Sequence, residues 1–188
     1  MPLGPLILVS GPSGSGKSTL IRRVLDAPPL PLRLAVSATT RAPRPGERDG
    51  VDYYFWSREH FESQLAAGAF LEHARVHGEF YGTPRMEVDS YREQGTGVIL
   101  DIDVQGADQI RPLYPDALTV FIALSRWELY EQRLRLRHTE NEEAIARRLQ
   151  TAEQELKRIG DYQCVILNDD LDQATQLFCD KIRQYSQP

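Results

Sequence analysis

The most constraining feature of this 188-residue chain is the run PLILVSGPSGSGKSTLIRRVL, residues 5–25. A short apolar stretch, PLILVS, leads directly into a glycine-rich turn, and a helical pattern begins at Lys17. An apolar run without polar alternation predicts a strand buried on both faces. The turn GPSGSGKS (11–18) satisfies G-x-x-x-x-G-K-[ST] at every position, in the strand–turn–helix setting that this P-loop pattern requires. Gly11, Gly14 and Gly16 let the backbone, with Pro12, Ser13 and Ser15 between them, wrap a chain of phosphates. Amide hydrogens and the helix N-terminus then face inward. Lys17 is placed to reach the β- and γ-phosphates, Ser18 to ligate Mg²⁺, and Thr19 follows in the first helical turn. A flexible Gly/Ser turn would not explain Lys17 in a chain with 22 Lys and Arg of which only Lys17, Lys157 and Lys181 are lysines.

Further apolar runs at 34–38, 97–104, 117–124 and 164–168 predict strands. Helices are expected at 57–68 with Ser57 as N-cap and Gly68 past the end, at 85–95, from 106 until Pro112 limits it, and from 170 to about 185. SRWE (125–128) and TENE (139–142) read as capping boxes that open helices reaching about Arg137 and Ile159. Strands alternating with helices predict an α/β fold whose parallel sheet is covered on both faces. The stretch from about 35 to 84 departs from this rhythm. Its strands, at 51–56 and within 69–84, are short and half polar, as in a small mixed-β lobe inserted into the core.

Composition narrows the function. A net charge of −5 argues against a general nucleic-acid binder, and no apolar run approaches the roughly 20 residues of a membrane span. The N-terminus has no basic region ahead of its apolar run, which argues against a signal peptide and for a cytoplasmic protein. Cys164 and Cys179 lack metal-ligand spacing and read as buried free thiols; the four histidines form no ligand cluster.

The loop TTRAPRPGERDG (39–50) suggests a second anion site. Arg41 and Arg44, separated by Pro43, can converge on one phosphate, with hydroxyls from Tyr53 and Tyr81 in support. The alternative is a solvated loop whose arginines pair with Glu47 and Asp49. A P-loop that only hydrolysed its ligand would need water alone, whereas a kinase with an anionic acceptor needs cations on both sides. Glu72 and Asp103, the latter expected at the end of the fourth strand, suit a base whose edge offers two adjacent donors. Guanine presents N1–H and N2–H₂ in that way, while adenine offers an acceptor at N1. Ser37 and Thr83 could donate to guanine O6. Asp101 closes the strand VILD, where a carboxylate commonly helps hold the metal, directly or through water; a solvent-facing or helix-capping role is the alternative.

The chain resembles the guanylate kinases. The likeness runs through GPSGSGKST, VSATTRAPRPGERDGVDYYF, GAFLEHARVHGEFYGTP, ILDIDVQG, RLRLRHTENEEAIARRL and VILNDDL, in the family's order. It implies a P-loop NTPase-type core at 1–34, 85–124 and 160–188, a GMP-binding lobe at about 35–84 and a helical lid at about 125–159. It implies transfer of a phosphoryl group from ATP, with Mg²⁺, to GMP and also dGMP. It also implies that Ser37, Arg41, Arg44, Glu47, Tyr53, Glu72, Tyr81, Thr83 and Asp103 contact GMP. Lid arginines at Arg133, Arg137 and Arg148 match positions that serve the ATP phosphates, and Asn168 matches a residue beside the adenine. Lys17, Arg41, Arg137 and Arg148 are the catalytic candidates. The sequence departs from the pattern at Arg137-His138-Thr139, where the family has a glycine at the centre, at His73 for a common tryptophan, and at Glu79-Phe80 for an Asn-Tyr pair.

The resemblance implies ATP and GMP as partners, with no nucleic acid or membrane, and fits either a monomer or a homo-oligomer. Two other readings compete: a phosphopeptide-binding module that keeps the fold, and a P-loop kinase for another phosphorylated acceptor such as a sugar phosphate. Lys17, Ser18, Arg137 and Arg148 argue against the first. The set Ser37, Glu72, Thr83 and Asp103 argues against the second.

Overall fold

The structure, a computed structural model, describes residues 2–76, 78–136 and 142–186. In chain order the elements begin β1 (Leu6–Ser10), α1 (Lys17–Asp26), β2 (Leu32–Leu34), β3 (Ala38–Thr39), β4 (Tyr54–Phe55) and α2 (Arg58–Ala66). They continue with β5 (Phe70–Val76), β6 (Glu79–Pro84), α3 (Asp89–Glu93), β7 (Gly97–Asp101) and α4 (Val104–Ile110). The last are β8 (Leu118–Ala123), α5 (Trp127–Arg135), α6 (Glu142–Leu156), β9 (Cys164–Leu167) and α7 (Leu171–Tyr185).

Among the described residues two sheets form. The larger runs β2-β7-β1-β8-β9 and is parallel throughout. Its strands are apolar along their length because helices cover both faces. On one face Ile7, Val9, Val120, Ile122 and Ile166 meet Leu20, Ile21 and Val24 of α1 and Phe178 and Ile182 of α7. On the other, Leu6, Leu8, Val98, Leu100 and Phe121 meet Ala107 and Ile110 of α4 and Tyr162. The smaller sheet runs β4-β3-β6-β5 and is mixed: β3 pairs β4 in parallel and β6 antiparallel, and β5 and β6 form a hairpin. It closes over its own aromatic core, where Phe61 stacks between Phe70 and Phe80 at 4.4 and 5.4 Å.

The α/β fold matches the expectation, and so do Ser57 as the N-cap of α2, the end of α4 before Pro112 and the two buried free cysteines. Four details differ. The strand expected at 34–38 is divided: β2 ends at Leu34 in the large sheet, β3 begins at Ala38 in the small one, and residues 35–37 cross between them. The run 51–56 contributes only Tyr54 and Phe55 as an edge strand. The helix expected over 85–95 is broken at Val88, with a 3₁₀ turn Arg85–Glu87 before α3. The first capping box does not form: α5 starts after Arg126, because Asp169 takes the Ser125 N–H at 3.0 Å and holds Ser125 outside the helix. The second, at 139–142, falls largely outside the described residues. Among the described residues no helix is long and apolar enough to cross a membrane.

Phe178 is fully buried where α7 meets the large sheet. Phe178→Ala is expected to cost about 3–5 kcal/mol of stability, read as a lower denaturant midpoint.

Candidate functional site

The phosphate loop leaves the C-terminal end of β1, at the centre of the parallel sheet, and α1 starts at Lys17. Gly16 is the N-cap of α1 with φ 81°. A Cβ there would also lie 2.5 Å from Asn168 Nδ2, so glycine is required by both conformation and space. The outer side of the loop is tied to the end of β9. Asn168 Nδ2 donates to the Ser15 carbonyl at 2.8 Å, Arg133 Nη2 donates to the Asn168 carbonyl at 2.9 Å, and Arg133 Nη1 reaches the Ser15 carbonyl at 3.4 Å. From α6, Arg148 Nη1 donates to Ser13 Oγ at 3.2 Å.

The register of β1 and β7 sets Asp101 opposite Val9, beside the loop. Lys17 Nζ forms a short ion pair with Asp101 Oδ1, and Ser18 Oγ donates to Asp101 Oδ2 at 3.1 Å. Burial opposes the charge on Lys17, but Asp101 outweighs it and holds the ammonium above the usual lysine pKa. Asp103 is not at a strand end, as the sequence suggested. It caps α4, accepting from the Gly106 N–H at 2.8 Å, because β7 stops at Asp101.

A cleft of about 860 Å³ opens over the loop, lined by Gly11–Gly14, Gly16–Thr19, Asp101, Asp103 and Glu155 among others. Arg133 and Asn168 are not in that lining; they brace the loop from behind. A smaller cavity of about 180 Å³ penetrates the small-sheet lobe, lined by Ser37, Tyr53, Glu72, Tyr81 and Asp103. The two share Ser37, Tyr53, Asp101 and Asp103, so they lie against each other.

Behind the wall of the small cavity, the fully buried Thr83 Oγ1 donates to Glu72 Oε1 at 2.6 Å, and Ser37 Oγ lies 3.4 Å from Thr83 Oγ1. Burial drives the Glu72 carboxyl up to about 7; Thr83 works against the shift and Asp103 adds to it. At the rim Arg41 Nη2 donates to Glu47 Oε1 at 2.9 Å, and Glu47 Oε2 accepts the Arg44 N–H at 2.7 Å. Hydrogen bonding to Arg41 keeps the Glu47 carboxyl below its usual range. The Arg41 guanidinium sits 5.5 Å from the Tyr53 ring, and Tyr53 and Tyr81 meet edge to face at 6.0 Å. Asp49 does not pair with the loop arginines; it accepts the Phe55 N–H at 2.8 Å. Of the residues singled out in the sequence, those of the glycine turn except Ser15, with Ser37, Glu47, Tyr53, Glu72, Tyr81, Asp101 and Asp103, line the cleft or its side cavity. Arg41 and Arg44 adjoin it through Glu47, Thr83 through Glu72 and Arg148 through Ser13. Arg137 lies outside the described residues.

The guanylate kinase sequence profile matches residues 4–185. The chain belongs to the guanylate kinase family. Guanylate kinase of Rubrobacter xylanophilus is 48% identical over 184 residues, covering 98% of this chain and 96% of that protein. Guanylate kinase of Symbiobacterium thermophilum is 50% identical over 173 residues, covering 92% and 82%. The crystal structure of guanylate kinase from Anaplasma phagocytophilum superposes with a TM-score of 0.78 at 30% identity, covering 100% of this chain and 89% of that one.

Of the cleft residues not singled out in the sequence, Arg22, Arg48 and Asp52 among them, Glu155 stands nearest the chemistry. Glu155 faces Lys17 from α6, and burial pushes its carboxyl up to about 7 while Lys17 opposes the shift. The signal was available: Ile145, Arg148, Ala152 and Glu155 recur at helical spacing, and Ile145 and Ala152 are buried.

Glu72 has a testable cost. It holds its proton to about pH 7 when folded against 4.5 as its ordinary value, so the folded state loses stability as pH rises through that window. Glu72→Gln should therefore gain stability over the wild type between about pH 5 and 8, by on the order of 2 kcal/mol, and the gain should vanish near pH 4. Paired thermal melts across pH would check this.

Proposed function

We propose that the cleft over the phosphate loop takes ATP, that the lobe cavity takes GMP, and that the γ-phosphoryl group passes between them to give ADP and GDP. The observation that carries this reading is that the two spaces adjoin at Tyr53, Asp101 and Asp103. A donor in one and an acceptor in the other lie side by side. The core, the lobe at about 35–84 and the helical segment at about 125–159 act as donor platform, acceptor platform and lid.

On the donor side, the backbone from Gly11 to Thr19 lines the triphosphate, and Lys17 leaves Asp101 to bind the β- and γ-oxygens. Arg148 and Arg137 bring positive charge from the lid. Arg133 and Asn168 contribute by fixing the loop's shape. Ser18 and Asp101 offer a hydroxyl and a carboxylate side by side, a fit for a hard cation that keeps water and phosphate oxygens in its remaining positions. These two residues would hold Mg²⁺, whose charge offsets that of the phosphates.

On the acceptor side, Arg41, Arg44, Tyr53 and Tyr81 bind the GMP phosphate, and Glu47 orients the two arginines. Glu72 and Asp103 accept from guanine N1–H and N2–H₂, and Ser37 and Thr83 serve O6. The same contacts admit dGMP, since none requires the 2′-hydroxyl. The acceptor is a phosphate oxygen, ionised near neutral pH, so no strong general base is needed. Alignment and charge neutralisation supply the acceleration.

A coupled assay of ATP with GMP, AMP and ribose phosphates should show turnover with GMP above all; equal turnover of AMP would overturn the reading. Arg41→Met is expected to raise the GMP KM and lower kcat by about tenfold or more while ATP binding is unchanged. A loss confined to ATP affinity would place Arg41 on the wrong side. Glu72→Gln should reduce the preference for GMP over AMP by at least about tenfold.

A further inference from the structure

The chain crosses between its two sheets only twice among the described residues, outward at 35–37 and back between Pro84 and Val88. One buried carboxylate lies at both crossings. Glu87, on the return, is 3% exposed. Its Oε2 accepts the Val36 N–H on the outward crossing at 3.0 Å and Arg33 Nη2 of β2 at 2.5 Å. Its Oε1 accepts the Tyr54 hydroxyl of β4 at 2.8 Å. Core sheet, outward crossing, return crossing and lobe sheet therefore share one side chain.

We propose that Glu87, held by Arg33 and Tyr54, is a positioning residue for the acceptor substrate: it fixes the lobe relative to the phosphate loop. This rests on the assignment of the lobe cavity to GMP. Two of the three partners of Glu87 adjoin residues of that cavity: Val36 precedes Ser37 and Tyr54 follows Tyr53. The Tyr54 N–H also donates to the Ser37 carbonyl at 2.9 Å, so the two lobe strands move as one.

The chemistry suits a fixed joint. An exposed ion pair would be weakened by water and salt, whereas this one is shielded. The Arg33 guanidinium lies 3.5 Å over the Tyr91 ring, which holds it flat against α3 of the core. Arg33 Nη1 is buried without a hydrogen-bond partner, so the arginine has few alternative bonds on offer. On the lobe side Tyr54 stacks on Trp56 at 5.9 Å, which ties the hydroxyl's position to the lobe's aromatic core. The hydrogen bond that Tyr54 donates to Glu87 pushes the pKa of its hydroxyl up to about 12, since a nearby carboxylate disfavours the phenolate.

Tyr54→Phe removes the single lobe-side bond and keeps the ring. It is expected to raise the GMP KM roughly tenfold, the weight of one hydrogen bond to a charged group, with the ATP KM within about twofold of wild type. Glu87→Gln should raise the GMP KM as well, and the double variant should be no worse than the poorer single one. Both sets of KM values would be measured beside Arg41→Met and a thermal melt of each variant. If Tyr54→Phe lowers the melting temperature yet leaves the GMP KM within twofold, or raises both KM values alike, Glu87 is only structural and the proposal fails. If Arg41→Met also leaves the GMP KM unchanged, the assignment of the cavity itself has failed, a result that the Tyr54 variant alone could not produce.

Discussion

The pairing of β1 with β7 is the constraint on which the site depends. Parallel register from Leu6↔Val98 to Val9↔Asp101 brings the end of one strand beside the start of the phosphate loop. A slip of one residue would turn every side chain of β7 to the opposite face and carry Asp101 away from Lys17 and Ser18. Burial on both sides prevents it, since Ile99 belongs to one core and Val98 and Leu100 to the other. The chemistry at the strand ends is therefore held in place by hydrophobic packing several residues away. The loop itself adds a second restraint, its Ser15 carbonyl being tied to Asn168 at the end of β9.

The lobe follows a different design. Its sheet is too small to bury a large aliphatic core, and aromatic stacking around Phe61 and Trp56 supplies the cohesion. Into this framework the fold places carboxylates at a real cost. Glu72 is almost wholly buried with one hydroxyl donor, and desolvation sets its proton affinity. Such a group is poorly solvated and only partly satisfied, which makes it a strong acceptor for a ligand that brings paired N–H donors. If the cavity holds GMP as proposed, the cost of burying Glu72 and the selectivity for the base have a common physical origin.

Much of this was legible in the sequence, for identifiable reasons. The core strands announce themselves because double-sided burial demands unbroken apolar runs, and the phosphate loop because its glycines and Lys17 stand in fixed spacing. The lobe was legible as an insertion but not in its strands. Two-residue pairs such as Ala38–Thr39 and Tyr54–Phe55 have no periodicity to read, and the single apolar run at 34–38 serves two sheets. Asp103 was placed on a strand because the apolar pattern continues through Ile102, although the backbone has already turned to be capped. Likeness alone suggests Arg133 and Asn168 as ATP contacts; that both also bond the Ser15 carbonyl of the loop is visible only in the fold. Glu87 was read as an ordinary helical residue; nothing local reveals that Arg33, Val36 and Tyr54 will meet it.

The lobe's two ends leave the large sheet side by side, joined at Val36 and Glu87. An insertion anchored in this way behaves as a cassette. Its contents can change in length or composition while the strands that carry the glycine turn keep their order and register. On the proposed reading, recognition of the acceptor and activation of the donor are thereby separable problems for evolution, linked by one short seam.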